Sequence, residues 1–284
     1  MRNSFGRRHW LAALSALCMA IAMPALADGL EDMKQKGRLR VAVYNDFPPY
    51  SFNGKGIDVD IGKALAERLG VKAEIAWFNA DEDMNDDLRN MVWKGHYLGT
   101  QPADVMLHVP LDKAFAAQND KVQIFAPYHI EALALARKPS LIPEPKGSAA
   151  VALSVFTREK VGVEMASGSD SFLLSVLNGR LRDHVVHYKN VTLATAGLKA
   201  GEVSAVMAPR AELESALKSD PDYPVSLVKM PELRGDQWPL AMAVKTDDGP
   251  LAEALTAALI ALQQDGTVAR IFTRYGVTHQ LPGG

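Results

Sequence analysis

The sequence predicts an α/β fold of two lobes, each a mostly parallel sheet flanked by helices. Three observations carry that prediction. Short apolar runs of strand length alternate with helical segments along most of the chain. The alternation is interrupted at Lys138–Lys146, where Pro139, Pro143 and Pro145 mark an extended crossing segment, and it then starts afresh. A last apolar strand and helix near the C-terminus complete the pattern, which gives two lobes joined near 137 and near 240. The expected division is 28–137 for the first lobe, 138–239 for the second, and 240–284 for the return to the first.

The elements follow in order. Residues 28–38 predict a short helix. Arg40–Val43 reads as a buried strand, which Pro48 and Pro49 turn out of the sheet because neither can donate to a ladder. Tyr44, Phe47, Tyr50 and Phe52 surround that exit, and the carboxyl end of a buried strand is where open α/β sheets hold ligands. The same rings could equally plug the top of a core. Ile57, Ile61, Leu65 and Leu69 recur every four residues, with Asp58 and Asp60 in the first turn and Gly70 after the end, so they predict a helix. Lys72–Phe78 and Ala103–Leu107 are further strands, with a helix over Leu88–Trp93 between them. Phe125–His129 predicts an aromatic turn before a strand over Ala132–Arg137.

In the second lobe, strands are expected at Lys160–Met165, Val185–Tyr188 and Val203–Met207. Helices are expected at Phe172–Leu181, Thr192–Ala200 and Ala211–Leu217. Trp238–Lys245 is the returning strand, and Leu251, Leu255, Leu259 and Leu262 lie on one face of the helix after it.

The N-terminus differs from this body. Arg2, Arg7 and Arg8 precede the apolar run Trp10–Met23, and Ala25-Leu26-Ala27 closes it, which is the pattern of a secretory signal over residues 1–27. The run is too short for a spanning helix. Arg7-Arg8 also partly fits a twin-arginine signal, so the export route is Sec or twin-arginine. Cleavage would remove three of the 31 basic residues, none of the 33 acidic ones, and the single cysteine, Cys18. The remaining acidic, cysteine-free body excludes a disulfide, a thiolate nucleophile and a cysteine metal site, and its charge does not suit nucleic acid. A bacterial periplasm fits.

Several motifs in order then resemble the polar-amino-acid type of periplasmic solute-binding protein, extracellular solute-binding family 3. They are Asp46-Phe47-Pro48-Pro49-Tyr50-Ser51-Phe52, Gly56-Ile57-Asp58-Val59-Asp60-Ile61, Ala103-Asp104-Val105-Met106 and Phe125-Ala126-Pro127-Tyr128. Val161-Gly162-Val163, Leu198–Glu202 and Asp265–Phe272 follow. The resemblance covers nearly all of residues 38–277. It implies a type II periplasmic-binding fold with a two-strand hinge near Leu133–Arg137 and Leu240–Val244. It also implies a monomer that closes on a small-molecule solute and serves an ABC-type membrane permease, without a cofactor.

The departures from that family bear on the ligand. Its amino-acid binders grip the ligand carboxylate with an arginine whose place here falls near Ala116, with Lys113 the nearby cation. The acid that pairs with the ligand ammonium is replaced by Ala208-Pro209-Arg210, and a further acid by Tyr44. A buried zwitterion without partners costs several kcal/mol, so the resemblance implies a ligand other than an ordinary amino acid. A narrower likeness, over Arg89–Gly95 and Ala103–Pro110, is to binding-protein-like accessory proteins of periplasmic PQQ-dependent quinoprotein dehydrogenases. It implies an alternative partner, a quinoprotein dehydrogenase or cytochrome, with the cleft repurposed.

The expected ligand-binding residues are Tyr44, Phe47, Tyr50, His108, Ser167, Ser169 and Arg210. Ser167-Gly168-Ser169 offers hydroxyls and free amides at a helix start, which suits an anion or an ordinary cap. His108 ends a strand at the cleft, and Arg210 could replace the missing arginine. His184 and His187 fall on opposite faces of a strand and predict no metal site. No hydrolase motif is present, so the reading is not an enzyme. Dehydratases occur on this fold, and in that minor alternative His108 or Glu164 would be the acid or base.

Overall fold

The computed structural model describes residues 29–283; residues 1–27, expected to form a secretory signal, with Cys18 and the paired arginines, lie outside the described residues. Eleven strands form, in chain order, at Arg38–Tyr44 (β1), Asp46–Phe47 (β2), Ser51–Phe52 (β3), Lys72–Phe78 (β4), Val105–Pro110 (β5), Val122–Arg137 (β6), Val161–Glu164 (β7), Val185–Tyr188 (β8), Ala205–Pro209 (β9), Val225–Leu227 (β10) and Gln237–Lys245 (β11). The helices are Gly29–Lys36 (α1), Ile57–Arg68 (α2), Met84–Leu88 (α3), Lys113–Gln118 (α4), Ala149–Ala152 (α5), Gly168–Ser175 (α6), Val191–Ala200 (α7), Arg210–Leu217 (α8), Gly249–Gln264 (α9) and Thr267–Arg274 (α10). Among the described residues no helix is long and apolar enough to cross a membrane.

The strands run in the order β4-β1-β5-β11-β6-β9-β7-β8, with β10 also on β6. The outer pairs β1–β4, β1–β5, β7–β9 and β7–β8 are parallel, as helix-connected strands must be. The long strands β6 and β11 run antiparallel to each other and to their neighbours β5 and β9, and they join the two lobes. Residues 122–132 of β6 pair with β11, whereas Leu133–Arg137 pair with β9 and partly with β10. The strand therefore changes partners between Ala132 and Leu133.

One expectation is corrected here. Phe125–His129 is not a turn but part of β6. Ala126 takes a left-handed φ of 49°, and the register against β11 shifts between Leu240 and Met242. A bulge absorbs Pro127, which has no N–H to give the ladder, and the strand continues. The helix expected at Phe172–Leu181 instead starts at Gly168, where Ser167 accepts the amide of Asp170, and its α-helical part ends at Ser175. Leu177 and Asn178 take left-handed angles that break the run.

Each lobe buries its own apolar face. In the first, Val41, Val43, Val105, Leu107 and Met242 pack against Ile57, Ile61 and Leu65 of α2 and Leu251, Leu255 and Leu259 of α9. In the second, Val161, Val163, Ala205 and Met207 pack against Phe156 and Leu173 on one face. Val206 and Ala208 pack against Ala194, Leu198 and Leu213 on the other. Both sheets direct the carboxyl ends of β1, β5 and β7 toward the space between the lobes.

Candidate functional site

The first lobe supplies an aromatic wall. β1 ends at Tyr44, and the β2–β3 hairpin brings Phe47 to an edge-on contact with it at 5.9 Å. His108, near the end of β5, stands edge-on to Phe47 at 4.7 Å and to Tyr50 at 4.2 Å. It holds a left-handed φ of 67°, an uncommon conformation for a residue with a side chain. Tyr50 itself is buried behind the wall, stacked on Phe47 at 5.6 Å.

Behind these rings lies a buried polar layer in which each acid finds donors. The Tyr50 hydroxyl donates to Glu131 Oε2 at 2.6 Å, and Glu131 Oε1 accepts the amides of Ala132 at 2.8 Å and Ala211 at 3.4 Å. Tyr128 donates to Asp58 Oδ1 at 2.7 Å while its oxygen accepts the His108 amide at 3.1 Å. The His108 Nδ1 lies 3.2 Å from Asp58 Oδ2, out of hydrogen-bond alignment. Tyr44 donates to Asp87 at 2.7 Å. Burial, followed by the facing carboxylate, holds all three tyrosines in the protonated form at any ordinary pH.

The main cleft has a volume of about 520 Å³ and is lined from both lobes. Tyr44, Asp46, Phe47, Met84 and His108 come from the first, Glu164 at the end of β7 from the second, and Trp238 from the joining strand β11. A smaller chamber of about 180 Å³ continues from it, sharing Asp46, Phe47 and Glu164 and adding Lys189 and Glu212. Glu164 is half-buried, and loss of hydration raises its carboxyl above the ordinary range although the Val191 amide opposes the shift. Glu212, one turn into α8, is raised much further, by burial first and then by Glu164 and Glu131.

The structure brings Tyr44, Phe47 and His108 together on the cleft and leaves Tyr50 as their support. Ser167 and Ser169 line a separate hollow of about 390 Å³ that shares Trp238 with the main cleft. Ser167 caps α6, and the buried Ser169 hydroxyl has no partner. Arg210 is engaged elsewhere. Its guanidinium donates to the Thr278 carbonyl at 3.0 Å and the Gln280 side chain at 3.4 Å, and it lies 3.8 Å from Glu214. It ties the C-terminal tail to α8 and is not among the residues that line the main cleft.

Sequence reasoning missed Glu212, Trp238, Asp58 and Glu131 as site residues. Asp58 reads as an ordinary first-turn acid, Glu212 falls within the helix expected at Ala211–Leu217, and Glu131 falls just before the strand expected at Ala132–Arg137. The available signal was weak: Asp58 sits between Ile57 and Val59, and Glu212 between Ala211 and Leu213, but Asp60, Arg210 and Glu214 stand two residues away. Among the described residues no group of His, Cys, Asp and Glu could hold a metal ion.

Two mixed sheets joined by paired long strands, with a cleft at the strand ends, define a two-lobe periplasmic-binding-protein-like fold of type II. Known proteins agree on that architecture. No family model matches the chain. An ancestral cationic amino acid solute-binding protein superposes with a TM-score of 0.67 at 21% identity, covering 87% of this chain and 99% of that one. An ancestral arginine-binding protein bound to glutamine gives 0.56 at 26% identity, over 84% and 97%. Among curated sequences, a cyclohexadienyl dehydratase of Pseudomonas aeruginosa is 32% identical over 105 residues. That match spans 34% of this chain and 38% of the dehydratase.

Proposed function

We propose that this protein captures a small solute in the interlobe cleft and delivers it, in the periplasm, to an ABC-type membrane permease. The observation that carries the reading is the cleft of about 520 Å³ whose lining comes from both lobes, so that lobe closure and ligand burial are one event. Solved structures of the same fold whose names describe amino-acid binding support the general class. The ligand is not an ordinary amino acid. By the resemblance, the ionic anchors of the amino-acid binders fall near Ala116 and at Ala208-Pro209-Arg210, Lys113 is exposed on α4, and Arg210 is engaged by the tail.

The test is a thermal-shift and tryptophan-fluorescence screen of the purified protein against cationic, neutral and anionic solutes. A concentration-dependent rise in melting temperature with quenching or enhancement at Trp238 is expected. Silence across the screen, with capture of a quinoprotein dehydrogenase or cytochrome instead, would replace solute capture by the accessory role. A second reading, dehydration, is favoured by one pair of observations: the partial match to a dehydratase, and an acid facing the cleft, Glu164, whose carboxyl burial raises above the ordinary range. Turnover of that relative's substrate, abolished by Glu164→Gln, would establish it.

A further inference from the structure

The geometry points to an organic cation as the solute: an amine or ammonium head seated in the Asp46–Glu164–Glu212 chamber, with an apolar body against Phe47, His108 and Trp238. This rests on the reading of the cleft as a solute site and names the chemical class it takes.

The carrying observation is Glu212. Its residue is 8% exposed, it lines the chamber of about 180 Å³, and among the described residues its carboxyl has no hydrogen bond or ion pair. A first-turn acid is ordinarily explained by the positive end of its helix dipole, but that role is filled equally well in solvent. The Glu212 carboxyl opens onto the chamber, and an acid enclosed this far without a protein donor presents an acceptor that a ligand can complete. Glu131 shows what the alternative looks like in the same protein, since three donors satisfy it.

The surroundings select the sign of the ligand. Asp46 from the hairpin and Glu164 from β7 share the chamber with Glu212, and Glu131 adds to the negative field from β6. Lys189, an exposed residue before α7, is the one cation lining the chamber. An anion placed there meets three carboxyl groups, whereas an ammonium group gains each of them as a charge-assisted acceptor. The body of the ligand continues into the larger cleft, where the faces of Phe47 and Trp238 suit an apolar group and attract positive charge. With the cleft empty, burial first and then the facing Glu164 and Glu131 hold the Glu212 carboxyl well above the ordinary range, so cation binding expels a proton.

Isothermal titration of the full chain with three probes of one shape tests this: 2-phenylethylamine, its neutral N-acetyl derivative and phenylacetate. The amine is expected to bind at least tenfold tighter than the other two. Proton release, read by repeating the titration in buffers of different ionisation enthalpy, is expected for the wild type and absent in Glu212→Gln, which binds the amine tenfold or more weakly. Glu164→Gln, on the chamber's other side, is expected to give a smaller loss, and circular dichroism checks the fold of both variants. Equal binding of the neutral or anionic probe, or unchanged amine affinity in Glu212→Gln, overturns the cation assignment while leaving solute capture standing. Failure of all three probes, and of the wider screen, overturns both.

Discussion

Residues 210–214 of α8 face two environments, and the contrast between them explains what each is for. On the side facing β6 and the tail, most polar groups are paired, the Arg210 Nε excepted. The Ala211 amide meets Glu131, Arg210 holds the carbonyl of Thr278, and Glu214 accepts the Thr278 amide at 2.7 Å. On the cleft side Glu212 has nothing. Burial raises both carboxyls, but the two acids differ in their donors: Glu131 on β6 has three built in, whereas Glu212 on α8 has none within the described residues.

The largest effect expected from this contrast is at Glu131. Glu131→Ala removes the acceptor shared by Tyr50, Ala132 and Ala211, and leaves a buried hydroxyl and amides unpaired. A loss of about 2–4 kcal/mol in denaturant unfolding is expected. A loss below about 0.5 kcal/mol would show that the polar layer is not structural. Arg210→Met follows, with about 1–2 kcal/mol lost and faster amide exchange at Thr278 as the tail separates from α8.

Glu212→Gln carries the opposite sign. The folded protein holds the Glu212 proton at pH values where the unfolded chain, with its carboxyl near 4.5, has released it. Stability from this group is therefore fully present below that value and declines as pH rises above it. The melting temperatures of wild type and Glu212→Gln should coincide near pH 4 and diverge toward neutrality, with the variant the more stable. The smallest effect is expected at Trp238→Ala, which leaves the chamber intact and weakens amine binding by about 1 kcal/mol through loss of the aromatic face.

Much of the fold was legible because local signals agreed with it. Lys72–Phe78 and Val185–Tyr188 are strands at the expected bounds, and the four-residue spacing of Ile57, Ile61 and Leu65 places α2. The aromatic wall was legible too, since Tyr44, Phe47 and His108 all fall where a buried strand meets a loop. What was not legible depends on distant partners. Pro127 reads as a turn until β11 is alongside to accommodate a bulge. Arg210 reads as a free cation until the tail, some seventy residues later, arrives to occupy it. Glu212 reads as an ordinary helix acid until α7, β7 and the first-lobe hairpin enclose it. Burial without a partner is a tertiary property, and no local pattern encodes it.

The most direct measurement is the titration of the Glu212 side-chain carboxyl by carbon NMR, with and without 2-phenylethylamine. The carboxyl is predicted to stay protonated well above the usual carboxylate range in the free protein and to ionise when the amine is added. A Glu212 that titrates near 4.5 and does not respond to the amine would contradict the claim that this carboxyl awaits a cation.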